Sequence, residues 1–321
     1  MFSSSNLKAA KDGLILWATA VVPSLFPFFV STELLNNTNI VSYLGKLLNP
    51  IMKPLFNVPG EAAFAFLMGL ISGYPVGAKI VSNFVENDVC TKEEAERMLS
   101  FTNNSGPLFI IGTVGISLFG STAIGVLLFI THILACISVG ITLKFISKKT
   151  LSSSYKSNFN QSSNKYVAFS SLGEILGKSI TNSISTILMI GGFVVIFSVI
   201  ISILNESYIL GGLANILSPF TSLIGIPEEL LKSFLAGIIE LTNGVSLVAD
   251  TSLKAISTNI IICAFLLGFG GISILLQVFS IVSKNKLSIK PYILGKLLQG
   301  VFAAFYTFIA LEFIPFLHFN L

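Results

Sequence analysis

The chain has 321 residues, of which 53% are hydrophobic and only 11% charged, with a mean hydropathy of +0.86 and a formal net charge of +4. Soluble domains carry about a quarter of their residues as charges, so this composition excludes a water-soluble fold and calls for lipid as solvent. Three scattered cysteines and two histidines exclude a disulfide framework and leave a histidine-based metal centre or catalytic triad almost no material.

A helix crosses the hydrocarbon core with about 20 apolar residues. Eight windows qualify: Gly13–Leu35, Ala62–Val85, Met98–Leu118, Thr122–Ile146, Ile175–Leu204, Leu230–Val248, Thr258–Val282 and Ile293–Phe316. The first follows Lys8 and Lys11, but its apolar run is long and no small-residue cleavage pattern succeeds it, so it reads as a retained helix. Cys90, Cys136 and Cys263 have no ligand spacing and read as structural. There is no GxGxxG opening a helix, no P-loop and no HExxH. ATP-driven transport by this chain alone is therefore not expected, nor is a cofactor or a metal. The positive charge is spread over loops without a basic, aromatic-interleaved surface, which argues against nucleic acid as a partner.

Sliding the chain on itself shows an ordered internal match. Leu48-Asn49-Pro50 corresponds to Leu217-Ser218-Pro219, Val58-Pro59-Gly60-Glu61 to Ile226-Pro227-Glu228-Glu229, and Phe66 to Ile71 corresponds to Phe234 to Ile239. Chance likeness between apolar helices is the plain alternative, yet the Pro and Gly positions match as well as the hydrophobic ones. Each copy reads as long helix, Pro-ended amphipathic segment, broken segment, second broken segment and closing helix. This divides the chain into a first repeat over residues 1–147, a polar Ser/Asn/Lys-rich linker over 148–172, and a second repeat over 173–321.

Basic residues favour the cytoplasmic side of short loops. If all eight windows span, Lys46 and Lys53 fall on the opposite side from the other basic loops, as do Lys284, Lys286, Lys290 and Lys296. If Ala62–Val85 and Leu230–Val248 are instead re-entrant hairpins, these lysines sort inside together with Lys92, Arg97 and the run from Lys144 to Lys178. Three crossings and one hairpin per copy make the two copies inverted. The expected fold is thus an all-α polytopic membrane protein of two inverted repeats, each with about three crossing helices, a re-entrant hairpin and a broken helix.

Two stretches break helices where unsatisfied backbone groups are costly. In Ser72-Gly73-Tyr74-Pro75-Val76-Gly77-Ala78-Lys79 the glycines supply conformational freedom and Pro75 removes a donor. In Asn103-Asn104-Ser105-Gly106-Pro107 the side chains can donate and accept, and Pro107 can open a half-helix whose positive end faces the break. Such a break suits an anion; the plain alternative is a kink. Lys79 is expected as counter-charge to a carboxylate substrate, the competing readings being an interfacial lysine or a pair with Glu33 or Glu61. In the second copy Glu240 matches Ser72 and precedes Leu241-Thr242-Asn243-Gly244. It could titrate, pair with Lys79, bind a substrate donor, or serve a structural ion pair. The candidate substrate contacts are therefore Ser72, Gly73, Tyr74, Pro75, Lys79, Asn103, Asn104, Ser105, Gly106, Glu240, Thr242 and Asn243. His132 reads as a packing residue, and Gly268 to Gly271, in the place of the Asn103 break, offer only backbone groups or close packing.

At Gly69 to Lys79, at Leu99 to Phe109 and at Pro23-Ser24-Leu25-Phe26-Pro27, the chain resembles the YlbJ-type sporulation integral membrane proteins, which carry the nucleoside-recognition Gate domain. The resemblance spans nearly the whole chain and implies uptake of dipicolinate from the mother cell across the outer forespore membrane. Gate domains look related to concentrative nucleoside carriers, which also use hairpins and broken helices. Dipicolinate would suit Lys79, the half-helix ends and the Asn/Ser donors, with Tyr74 for stacking. The expected partners are this small anion, the bilayer, and a second copy or other sporulation membrane proteins. The competing readings are a nucleoside-type carrier and a non-transporting scaffold for spore maturation. An enzyme is not expected, since a Ser105/Lys79 pair would need folding to bring the two within hydrogen-bond reach.

Overall fold

The computed structural model describes residues 3–36, 40–146, 172–221, 227–251 and 256–313. The linker assigned to 148–172 lies outside the described residues except for its last residue, as does Ile226 of the repeat match. The protein is an all-α polytopic membrane protein, and α-helices α1 to α14 account for nearly all that is described.

α1 (Ser3–Leu16) continues through a wide π turn, Trp17–Val21, into α2 (Val22–Asn36). The turn precedes Pro23, whose missing N–H cannot serve the Thr19 carbonyl, so the winding loosens there. The amphipathic α3 (Ile40–Phe56) carries Pro50 and Pro54 and leads to the first hairpin, α4 (Ala62–Ser72) and α5 (Val76–Glu86). Each arm has 11 residues. At 1.5 Å per residue an arm of this length reaches about 16 Å, half of a hydrocarbon core of about 30 Å. α6 (Lys92–Thr102) starts at a capping box formed by Thr91 and Glu94. It breaks at Asn103–Gly106 and resumes as a π-helical segment, Leu108–Leu118, before the long α7 (Thr122–Ile146).

The second half runs the same order. α8 (Leu172–Glu206) lies against α1 and α2, held by the Trp17 indole N–H donating to the Ile187 carbonyl at 2.9 Å. Then come the amphipathic α9 (Ile209–Thr221), the hairpin α10 (Glu228–Ile239) and α11 (Leu241–Asp250), and the broken pair α12 (Ile256–Phe269) and α13 (Gly271–Val282). α14 (Lys290–Phe313) closes this half and packs on α7 and α12. The α12/α13 break is at Gly270 and Gly271, with φ of 86° and 81°, a region only glycine enters without strain.

Four helical runs among the described residues are long and apolar enough to cross a membrane: Thr122–Ile146, Gly173–Glu206, Ile256–Asn285 and Lys290–Phe313. Leu188, Ile196, Ile130, Val301 and Phe305 on three of them stand exposed, as a lipid-facing surface requires. The two breaks meet their hairpins in matching register. A Cβ at Gly106 would lie 3.3 Å from both Gly73 N and Ile71 O, and one at Gly271 would lie 3.2 Å from Leu241 N and 3.4 Å from Ile239 O. These are the positions that the sequence match pairs, since Ser72 and Glu240 stand between them.

Candidate functional site

Both hairpin tips and the first break converge on a cavity of about 350 Å³, which α13 also lines. Ser72, Gly73 and Tyr74 come from the first tip, Ser105 and Gly106 from the first break, Glu240, Leu241 and Thr242 from the second tip, and Gln277 from α13. Leu25, Phe28, Phe109, Ile190 and Val194 supply apolar wall, so a few polar groups stand in a largely hydrocarbon lining.

The polar groups differ in how far the protein already uses them. Ser72 lies 3.4 Å from the Thr32 hydroxyl. Glu240 has an extended backbone that ends α10, and its carboxylate turns onto the next helix, accepting from Thr242 N at 3.0 Å and Asn243 N at 2.8 Å. The positive end of α11 is thus occupied by the protein's own carboxylate. Ser105 is 2% exposed, and its hydroxyl has no hydrogen-bond partner. It stands where the segment Leu108–Leu118 begins, beside Tyr74.

Seven of the expected contacts line the cavity: Ser72, Gly73, Tyr74, Ser105, Gly106, Glu240 and Thr242; Pro75, Lys79, Asn103, Asn104 and Asn243 do not. Lys79 forms an ion pair with Glu33 on α2 at 2.6 Å and donates to the Thr186 hydroxyl on α8 at 3.0 Å. Of the readings open for Lys79, the pair with Glu33 is the one formed. No hydrogen bond joins Ser105 to Lys79, so a Ser/Lys nucleophile is not assembled.

The two amides of the first break hold the fold together. Asn103 accepts from Ala78 N at 3.3 Å and donates to the Tyr292 hydroxyl at 2.8 Å, so it ties the broken helix to α5 and α14. Asn104 donates to Phe101 O at 2.7 Å and accepts from Gln299 Nε2 at 2.9 Å. Asn103→Leu strands the Tyr292 hydroxyl and the Ala78 N–H in a water-free interior, each worth about 1–3 kcal/mol. The expected result is a clearly lowered unfolding temperature in detergent, partly restored by adding Tyr292→Phe; wild-type stability of the single variant would show that Asn103 does not tie these elements.

Sequence reasoning missed the group behind Tyr74. Lys296 was sorted with the loop lysines, but the structure buries it completely within α14. It donates to the Tyr74 hydroxyl at 3.1 Å and to Gln299 Oε1 at 2.7 Å. Gln299 in turn lies 3.4 Å from His132 Nε2, so His132 belongs to this buried polar chain as well as to the packing. The available signal was the spacing Tyr292, Lys296, Gln299, Ala303 and Thr307, which puts polar residues on one helix face.

Hairpins paired with broken helices line a cavity in a polytopic membrane protein. The family model for Gate, nucleoside recognition, matches residues 18–150 and 187–285. The chain is 38% identical over 318 residues, 94% of its length and 77% of the relative's, to the sporulation integral membrane protein YlbJ of Bacillus subtilis (strain 168). It is 27% identical over 240 residues, 73% of its length and 71% of the relative's, to the uncharacterized membrane protein YvoD of the same organism. The chain belongs to the Gate family and, within it, to the YlbJ-type sporulation integral membrane proteins. No solved structure matches it.

Proposed function

We propose that the protein is a carrier, not an enzyme, and that it moves a small aromatic dicarboxylate, dipicolinate, from mother cell towards forespore across the outer forespore membrane. One observation carries the reading: both hairpin tips and the first break open onto a single cavity, towards which a buried hydroxyl, that of Ser105, stands without a protein partner. A buried hydroxyl without a protein partner is a hydrogen-bonding group that a bound solute would satisfy. The volume of about 350 Å³ lies at the small end of small-molecule sites. The carboxylate end of the solute sits at Tyr74, Ser105 and the start of the helical segment after Pro107, with the ring against Phe28 and Phe109. The other end meets Thr242 and Gln277. The repeated element order and the matching register of Gly106 and Gly271 support two inverted halves that rock about this site. The relative's name places it in sporulation, which supports the setting.

A nucleoside-type carrier is the second reading, favoured by Glu240 and Gln277 on the wall, which suit hydroxyl and amino donors, and by the lack of a cation among the described lining residues. Competition binding on the purified protein separates the two. Dipicolinate is expected to bind saturably and adenosine not to displace it. Ser105→Ala should weaken dipicolinate about ten- to a hundredfold, the loss of one hydrogen bond to a charged group, with little change in unfolding temperature. Saturable adenosine binding, with no dipicolinate binding, would overturn the dicarboxylate reading in favour of the nucleoside one.

A further inference from the structure

We propose that Lys296 is the charge-reading residue of the cavity, acting on a substrate carboxylate through the Tyr74 phenol. This rests on the carrier reading above and names the group that would give it selectivity for anions.

The first observation is a buried lysine with no acidic partner among the described residues. Lys296 has 0% exposure, and the oxygens it meets, Tyr74 Oη and Gln299 Oε1, are both neutral. The Tyr74 and Tyr292 rings lie 5.0 and 5.9 Å from its Nζ and add only cation–π attraction. Among the described residues no carboxylate pairs with it; the acids that form ion pairs take Lys79, Lys232 and Lys284 instead. A buried ammonium without an anion is among the most expensive arrangements in a membrane interior, and such groups mark solute or ion pathways.

The second observation is its route to the cavity. Tyr74 lines the cavity and is also the hydroxyl that accepts from Lys296. The phenol's own hydrogen has a long contact, 3.4 Å to the Leu267 carbonyl near the glycine break between α12 and α13, and the Ser105 hydroxyl stands beside it. An ammonium on the phenol oxygen polarises the O–H and makes it a stronger donor. An arriving carboxylate therefore finds a primed donor, with the ammonium one hydroxyl further on. The third observation is the opposite wall. Glu240 turns its carboxylate onto Thr242 N and Asn243 N, so its oxygens already have donors within the protein, whereas the Lys296 side of the cavity offers a donor through Tyr74.

The test is equilibrium binding of pyridine-2,6-dicarboxylate and of the uncharged pyridine-2,6-dicarboxamide to the purified full chain. Wild type, Lys296→Gln, Lys296→Arg and Tyr74→Phe are compared. Wild type is expected to prefer the diacid by tenfold or more. In Lys296→Gln that preference collapses towards unity while the diamide still binds; Lys296→Arg keeps part of it, and Tyr74→Phe reduces it. An unchanged preference in Lys296→Gln overturns the assignment. Should Lys296→Gln fail to fold, Tyr74→Phe decides instead, because it keeps the ring and removes the relay: an unchanged preference there overturns the proposal. If wild type binds neither compound, the carrier reading itself falls and takes the Lys296 assignment with it, an outcome distinct from binding that ignores Lys296.

Discussion

Lys79→Ala is expected to cost about 3 kcal/mol of stability while leaving affinity for the cavity ligand near wild type. The side chains of Lys79 and Glu33 are 23% and 9% exposed, so the variant takes the cation away from a carboxylate that is mostly out of water. Removing one member of a buried pair costs about 3–5 kcal/mol, and the partial exposure of Lys79 puts this case at the lower end. Asn182 Nδ2, 3.3 Å from Glu33 Oε2, is too weak a partner to replace an ammonium. The sign reverses for the double variant: Lys79→Ala with Glu33→Ala removes both charges and should recover most of the lost unfolding temperature. A single variant that keeps wild-type stability but loses ligand would instead return Lys79 to the binding site.

Gly69→Ala is expected to be comparably damaging, at about 3 kcal/mol, for a steric reason. A Cβ at Gly69 would run into the Thr102 carbonyl, and one at Gly77 would strike the same carbonyl and Asn103 Cα. Overpacking costs about 1–3 kcal/mol when side chains can yield. Here the obstacle is the backbone beside the first break, so the upper end applies. Gly244, which faces Gly237 in the second hairpin, should behave in the same way. Gly212 in α9 has nothing within 4 Å, and Gly212→Ala should be neutral or slightly stabilising because alanine favours a helix. The check is unfolding temperature and monodispersity of the purified variants; equal tolerance at Gly69 and Gly212 would contradict the close approach of hairpin and break.

The breaks were legible because their causes are local. Gly73, Pro75, Gly106 and Pro107 interrupt helices by their own stereochemistry, and a break amid apolar sequence must face protein or solute. That carried the reading to Ser72, Tyr74, Ser105 and Glu240, all of which reach the cavity. Which polar side chains face inwards was less legible. Asn103 and Asn104 had every chemical qualification for a ligand, yet their partners, Tyr292 and Gln299, lie 189 and 195 residues away on α14 and take them up. Lys296 was misplaced for a related reason. Counting lysines near the ends of apolar windows treats each as a flanking charge, whereas burial depends on which helix face meets α7 and α12.

The central claim is that this cavity carries a dicarboxylate across the membrane, and its most direct test is uptake of radiolabelled dipicolinate into proteoliposomes holding wild type, Lys79→Ala or Ser105→Ala, with adenosine as control. The account predicts saturable dipicolinate uptake by wild type, retained per folded molecule in Lys79→Ala and sharply reduced in Ser105→Ala, with no adenosine uptake. Uptake equal to that of empty liposomes, from wild type shown to be folded, would contradict it.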